Sequence, residues 1–408
     1  MKILHTADWH LGKKLDYISR LDEQKEVLQE ICEIAEQQKV DLVIVAGDLF
    51  DTFNPPVDAT ELLYQTLKRL TANGTRPVLA IAGNHDSPDR IDSPDPLARA
   101  CGIIFIGYPH AEVKPFELDN SFAIINSDKG FLEIKLKHIP YPVRILTTAY
   151  ANELRLKQFL GIENKGEQLN EVLRNSWQNL ADQYCNANGV NLLTAHLYML
   201  QRGGEILEEP EGEKPIKIGN ADIVYSDAIP TQIQYTALGH LHRYQFIKGH
   251  QNPVVYCSSP LAYSFSEAGQ EKKVVIVDVE PNQEARIQAL PLRSGKQLCR
   301  KTFYQVDEAV AWLHENPYTL VELTMVSDTF MTSADLKRIH EAHDGIIHII
   351  PIVNKADSPT EATEQVKLNQ DIHSLFGDYF KSKYGQEPNE ELKELFREVF
   401  THSKQGEE

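Results

Sequence analysis

Residues 41–51 read DLVIVAGDLFD, a short apolar run that stops at Gly47 and is followed by two carboxylates, Asp48 and Asp51. A run of that length suits a strand buried on both faces. A polar cluster just past such a strand stands where α/β folds gather their ligand sites. The same order recurs along the chain: residues 2–7 precede Asp8-Trp9-His10, residues 77–82 precede Gly83-Asn84-His85-Asp86, residues 191–195 precede His196, and residues 235–238 precede Gly239-His240-Leu241-His242. Further runs at 253–256 and 273–279, with amphipathic helical patterns at 22–38 and 58–72, predict sheets covered by helices in an α/β layered fold.

At 408 residues the chain is long enough for two or three domains. From residue 286 the rhythm changes: a strand near 287–292, a helix at 307–314, a strand at 318–326, a helix at 334–342 capped by Ser333, and a strand at 346–353. This predicts a small α+β unit over 286–355, appended to a larger one over 1–285. Residues 201–219 are rich in Gly, Glu and Lys, which predicts an exposed, mobile excursion. Residues 356–408 form a polar link and two amphipathic helical patterns. One carries Ile372, Leu375, Phe376, Tyr379 and Phe380; the other carries Leu392, Leu395, Phe396, Val399 and Phe400. Such helices dock on their own chain or grip a partner helix.

Several classes are disfavoured. No apolar stretch reaches the roughly 18 residues of a membrane span, and no signal peptide is expected. The five cysteines are scattered, with no CxxC pair, so neither a disulfide framework nor a thiolate zinc site is indicated, and a reducing cytoplasm is the natural setting. With 41 basic against 59 acidic side chains, the net charge of −18 repels a polyanion at long range. Any nucleic-acid contact must be local, metal-assisted or shared with a partner.

The five polar clusters supply carboxylate, imidazole and amide ligands. That donor set suits Mn²⁺, Mg²⁺ or Fe²⁺ better than structural zinc. In an extended segment His240 and His242 face the same side, and glycines before Asp48, Asn84 and His240 permit sharp turns.

Taken together, DxH at 8–10, GDxxD at 47–51, GNHD at 83–86, the lone His196 and GHxH at 239–242 resemble the calcineurin-like metallophosphoesterase superfamily. In finer detail, ADWHLG at 7–12, GNHDS at 83–87, GHLHR at 239–243 and SPLAYSFSE at 259–267 resemble its bacterial double-strand-break nucleases, over essentially the whole chain. The resemblance implies a four-layer α/β/β/α sandwich with a small α+β capping domain and a C-terminal helical pair. It also implies one ion held by Asp8, His10, Asp48 and His242, and a second by Asp48, Asn84, His196 and His240, with Asp48 bridging. Mn²⁺ is the expected metal. Such a pair activates water against phosphorus, so no covalent protein nucleophile is needed.

His85 is then the group that stabilises or protonates the departing sugar oxygen. Asp51 is the candidate to orient it, although archaeal relatives carry His there. Thr52 stands where phosphomonoesterases of the superfamily place Arg, which argues against phosphomonoesters. Arg90 and Arg243 are candidates for DNA-backbone contact. Lys13, Lys14 and Arg20 read as loop charges, His5 and His250 as structural or surface residues, and Trp9 and Phe50 as packing beneath the site. The implied partners are DNA, a coiled-coil ATPase subunit gripped through Phe376, Phe380, Leu392, Phe396 and Phe400, and a second copy of the chain meeting through the 58–70 helix. The alternatives are a small-molecule metal-dependent phosphodiesterase and a catalytically dead scaffold; the latter is disfavoured because no expected ligand position is missing.

Overall fold

The structure, a computed structural model, describes residues 1–118, 121–157, 165–209, 223–329 and 331–353. Its first sheet has six strands in the order Arg286–Pro291, Lys273–Asp278, Lys2–Thr6, Leu42–Ala46, Val78–Ile81, Ile103–Ile106. The last four are mutually parallel. Strands enclosed on both faces carry apolar residues at every position, and Leu42–Ala46 and Val78–Ile81 are buried throughout. A second sheet of eight strands contains the parallel set Val143–Thr148, Val190–His196, Tyr235–Gly239, Val254–Tyr256.

The two sheets stack face to face. Ile145, Leu192, Tyr235 and Ala237 of the second sheet join Ile3, Val43 and Ile44 of the first in one core, which also takes in Leu28, Ile31 and Ala35 of helix Leu21–Gln37 and Leu63 and Leu67 of helix Val57–Leu70. Alternate residues Leu146, Leu193 and Leu238 turn outward and pack with Leu169, Leu173 and Trp177 of helix Lys165–Tyr184. The result is helices, sheet, sheet, helix. On the helices the buried positions recur every three or four residues, as at Gln24, Val27, Leu28, Ile31 and Ala35, the stripe that an amphipathic helix turns to a sheet.

The seven apolar runs all coincide with strands. They leave out residues 103–184, which hold several strands and the helix Lys165–Tyr184. Phe122–Asp128 and Phe131–Leu136 mix buried and exposed positions, so no continuous apolar run marks them.

The C-terminal part of the described chain departs from expectation in two details. Arg286–Pro291, expected at the head of the small unit, instead pairs antiparallel with Lys273–Asp278 at the edge of the six-stranded sheet. The small sheet is built from Gln297–Phe303, Thr319–Ser327 and Ile346–Val353, with helices Val306–Glu315 and Ser333–Ala342 around its own core of Leu313, Val321, Leu323 and Ile339. Thr332 caps the second helix in place of Ser333: its hydroxyl accepts from Asp335 N while the Asp335 carboxylate reaches back, a reciprocal capping box. The small unit rests on the large one through Leu15, Phe265, Leu298, Leu320 and Ile347, with Tyr17 Oη donating to the Ile346 carbonyl at 3.0 Å. Residues 201–206 are exposed, and residues 210–222 lie outside the described residues. So do both C-terminal helical patterns, with Phe376, Phe380, Leu392, Phe396 and Phe400.

His5 is a core residue, 0% exposed between the sheets. Its Nε2–H donates to the Leu238 carbonyl at 3.1 Å, and its Nδ1 accepts from Tyr235 Oη at 2.8 Å. Burial drives its pKa from 6.5 down to about 3, against the raising effect of the Leu238 bond. Unfolded His5 therefore binds a proton below about pH 6.5 that the folded side chain refuses until about pH 3. The resulting stability is complete above pH 6.5 and is lost as pH falls through that window, by up to about 1.4 kcal/mol per pH unit. Urea unfolding at pH 7 and pH 5 should show a shallower acid-side loss in His5→Gln than in the parent; an unchanged loss would assign the acid sensitivity elsewhere.

Candidate metal centre

Five loops, each leaving the end of a buried strand, converge on one site. Asp8, His10, Asp48, Asn84, His85, His196, His240 and His242 are all buried. Four of them hold backbone conformations that side-chain-bearing residues rarely adopt, with φ of +55° at Asp8, +44° at His10, +48° at Asp48 and +109° at His240. Clustered strain of this kind persists where the surrounding structure over-determines it. Glycine serves chiefly to let the loops approach: a methyl on Gly83 would overlap the Asp48 carboxylate, and one on Gly47 the His196 ring. Positive φ is used at Gly47, at +98°, but not at Gly83 or Gly239.

Each central aspartate divides its two oxygens. Asp8 Oδ1 accepts from His240 N at 2.9 Å, and Asp48 Oδ1 accepts from His85 N at 2.8 Å. These bonds tie motif to motif across 232 and 37 residues. The second oxygen of Asp48 faces the imidazoles, with Oδ2 3.3 Å from His196 Nε2 and 3.6 Å from His10 Nε2; that of Asp8 is buried without a hydrogen-bond partner, while Oδ1 lies 3.8 Å from His196 Nδ1.

The imidazoles are aimed in the same way. His196 Nδ1–H donates to the Ala46 carbonyl at 2.9 Å. This leaves Nε2 pointing at Asn84 Oδ1, 2.9 Å away. With a neutral ring these two atoms are both lone-pair donors, an arrangement that requires a proton or a cation between them. His10 Nε2 and His242 Nε2 face each other at 3.0 Å. Among the described residues three groups of convergent donors follow: Asp8, His10 and His242; His10, Asp51 and His85; and Asp48, His196 and His240, the first and last matching the two implied ligand sets. His240 Nε2 meets Glu209 Oε1 at 2.8 Å.

The titration pattern records a site built for positive charge. Burial pushes the Asp8 carboxyl up, opposed by His242 and His196. Although burial opposes it, His196 and His10 hold Asp48 well below the usual carboxylate range. Burial likewise opposes, and the Asp48 and Asp8 charges outweigh it, in raising His196; burial lowers His240. Carboxylates and imidazoles with no thiolate fit divalent Mn²⁺, Mg²⁺ or Fe²⁺, and Asp8 Oδ2, buried with no hydrogen-bond partner, is an atom that a cation would satisfy.

His85 lies beside this cluster, its ring 4.8 Å from that of His10, and its Nδ1–H donates to the main-chain carbonyl of Asp51 at 2.8 Å. Asp51 therefore meets His85 through its backbone, while its carboxylate accepts from Lys13 Nζ at 3.0 Å and lies 3.6 Å from His10 Nδ1. That pair removes Lys13 from the class of plain loop charges. Arg20 leaves it too: it is wholly buried, bonded to Glu23 and to the Ala262 carbonyl. Trp9 and Phe50 pack beneath the loops as expected. Arg90 and Arg243 are exposed, with Arg90 donating to Asn54 Oδ1 at 3.2 Å. His250 is half-buried against main-chain carbonyls.

Other supporting residues carry no chemical signature of their own. Asp86 accepts from Gly83, Leu49 and Phe50 N–H groups at 2.8–3.0 Å, bolting two motif loops together. Arg155 donates to the carbonyls of Gly83 and Asp86, both at 2.7 Å. Gln24, a polar residue on the buried stripe of its helix, donates to the His10 carbonyl at 2.7 Å. Its misplaced polarity, and the place of Asp86 at the end of the GNHD motif, are the signals of this supporting set that the sequence carries.

A family model described as calcineurin-like phosphoesterase matches residues 1–244. The chain is 36% identical to the SbcD subunit of nuclease SbcCD from Bacillus subtilis, over 98% of this chain and 97% of that protein. It is 27% identical to the Staphylococcus epidermidis protein of the same name, over 95% and 94%. To that of Rhodobacter capsulatus it is 31% identical over 71% of this chain and 69% of the relative.

Proposed function

The chain belongs to the calcineurin-like phosphoesterase family and, within it, to the SbcD nucleases, and from that premise we propose that it hydrolyses DNA phosphodiesters with a pair of Mn²⁺ ions. The observation that carries this reading is the convergence of ligand atoms from five separate loops, with Asp8 Oδ2 buried among them and without a hydrogen-bond partner. Asp8, His10, Asp48 and His242 would hold one ion, and Asp48, Asn84, His196 and His240 the other. Bound there, the ions supply an activated water for in-line attack and neutralise charge on the phosphoryl oxygens.

The protein's own groups do the rest. His85, its Nδ1–H committed to the Asp51 carbonyl, would act in its doubly protonated, cationic form, giving the Nε2 proton to the departing sugar oxygen and being left as the neutral ring. Lys13 and His10 keep the Asp51 carboxylate ionised although burial opposes it, so Asp51 steadies His10. Arg90 and Arg243, both exposed, are offered to a DNA backbone, where charged side chains position without reading sequence.

The reading extends to double-strand exonuclease and single-strand or hairpin endonuclease activity in DNA repair, recombination and replication, with the ATPase SbcC as partner. Phe376, Phe380, Leu392, Phe396 and Phe400 would form its docking face. The domain organisation taken forward is the nuclease domain over 1–291, since Arg286–Pro291 is its edge strand, the capping domain over 292–355 and the SbcC-binding segment over 356–408. Val57 and Tyr64, exposed on helix Val57–Leu70, support a homodimer through that face. Five free cysteines, and the absence among the described residues of any helix long and apolar enough to cross a membrane, support a cytoplasmic setting.

Turnover of a DNA hairpin and of an aryl phosphodiester, with Mn²⁺ and with EDTA, tests the proposal. Cleavage of the hairpin that EDTA abolishes is the expected result. Hydrolysis of the small ester with an intact hairpin would favour a small-molecule phosphodiesterase.

A further inference from the structure

His196 and His85 take their orientation from main-chain carbonyls; His242 is served differently. Its Nδ1 lies 3.4 Å from Glu267 Oε1, on the side of the ring opposite the Nε2 that faces His10. Glu267 and Lys272 are 2% and 7% exposed. Two ionisable groups so deeply buried are costly unless each is paired and fully hydrogen-bonded, and here they are. Glu267 Oε1 accepts from Tyr263 N at 3.1 Å and Ser264 N at 3.2 Å, and Oε2 accepts from Lys272 Nζ at 2.5 Å. Lys272 Nζ also donates to Ser259 Oγ at 3.0 Å and to the main-chain carbonyl of His242 at 2.9 Å. The pair thus grips His242 at both its ring and its backbone.

We propose that Glu267 and Lys272 are positioning residues for His242, holding its Nδ1–H tautomer so that Nε2 is presented to a divalent cation. A carboxylate behind a ligating imidazole fixes its tautomer and ring orientation and raises its donor strength. The inference rests on the metal reading and deepens it. It distinguishes His242 from His196, whose ring leans on a neutral carbonyl.

The test is a Mn²⁺ titration of metal-stripped full-length protein, followed by calorimetry and electron paramagnetic resonance. It compares the parent, Glu267→Gln and the double variant Glu267→Gln/Lys272→Met. The parent should bind two ions. Glu267→Gln should weaken one of them by about 10- to 100-fold and leave the other within about threefold. The double variant removes both buried charges together and so regains melting temperature lost in the single one, yet it should keep the weakened site. A purely structural pair would recover both ion affinities along with the melting temperature. Affinities within twofold of the parent in the double variant overturn the inference and leave the metal reading standing, whereas a parent that binds no Mn²⁺ overturns both.

Discussion

Asp48→Asn should lower Mn²⁺-dependent DNA cleavage by at least about a thousandfold, equivalent to roughly 4 kcal/mol of transition-state stabilisation. The substitution is nearly isosteric, and its amide oxygen can still accept from His85 N, as Asp48 Oδ1 does at 2.8 Å. What disappears is the charge on the oxygen lying 3.3 Å from His196 Nε2 and 3.6 Å from His10 Nε2, the atom placed to serve both donor groups. An amide there presents N–H groups or a neutral oxygen to a cation. Circular dichroism and thermal melting of the metal-free variant should match a folded protein, while Mn²⁺ titration shows loss of tight binding. Retention of more than a tenth of parental cleavage would remove Asp48 from the bridging role.

His85→Ala should separate chemistry from metal binding. General acid catalysis is worth about 10²- to 10⁴-fold, so hairpin cleavage should fall by that amount while both Mn²⁺ affinities stay near parental values. The loss should be much smaller for an aryl phosphodiester, whose phenolate departs without a proton. Equal losses on both substrates would assign His85 to binding rather than to the leaving group. Because the bond that orients His85 comes from the Asp51 main chain, Asp51→Ala should cost less than His85→Ala, acting through Lys13 and His10.

The aspartate at 51 shows where a sequence motif stops being informative. Its side chain type and spacing suggest a partner for His85, yet the loop turns so that the carbonyl makes that bond and the carboxylate faces Lys13 and His10. A turn of one peptide plane separates the two outcomes, and residue identity does not encode it. Arg20 illustrates the converse: a charge that looks solvated is enclosed because Glu23 and the Ala262 carbonyl bond each of its three guanidinium nitrogens.

The sequence by itself marked the five polar clusters and the strands that deliver them, because a strand enclosed on both faces must be apolar at every position and the polar group that follows it is conspicuous; the family resemblance picked the seven candidate ligands from those clusters. Only the tertiary structure decided which oxygen of Asp48 faces the imidazoles, that Arg286–Pro291 completes the large sheet, and that Gln24, Asp86, Arg155, Glu267 and Lys272 brace the loops. Those outcomes depend on hydrogen bonds with narrow limits of distance and angle. Several of them join groups more than 60 residues apart in the chain, as Arg155 does with Gly83 and Asp86. Local periodicity carries no information about such pairs.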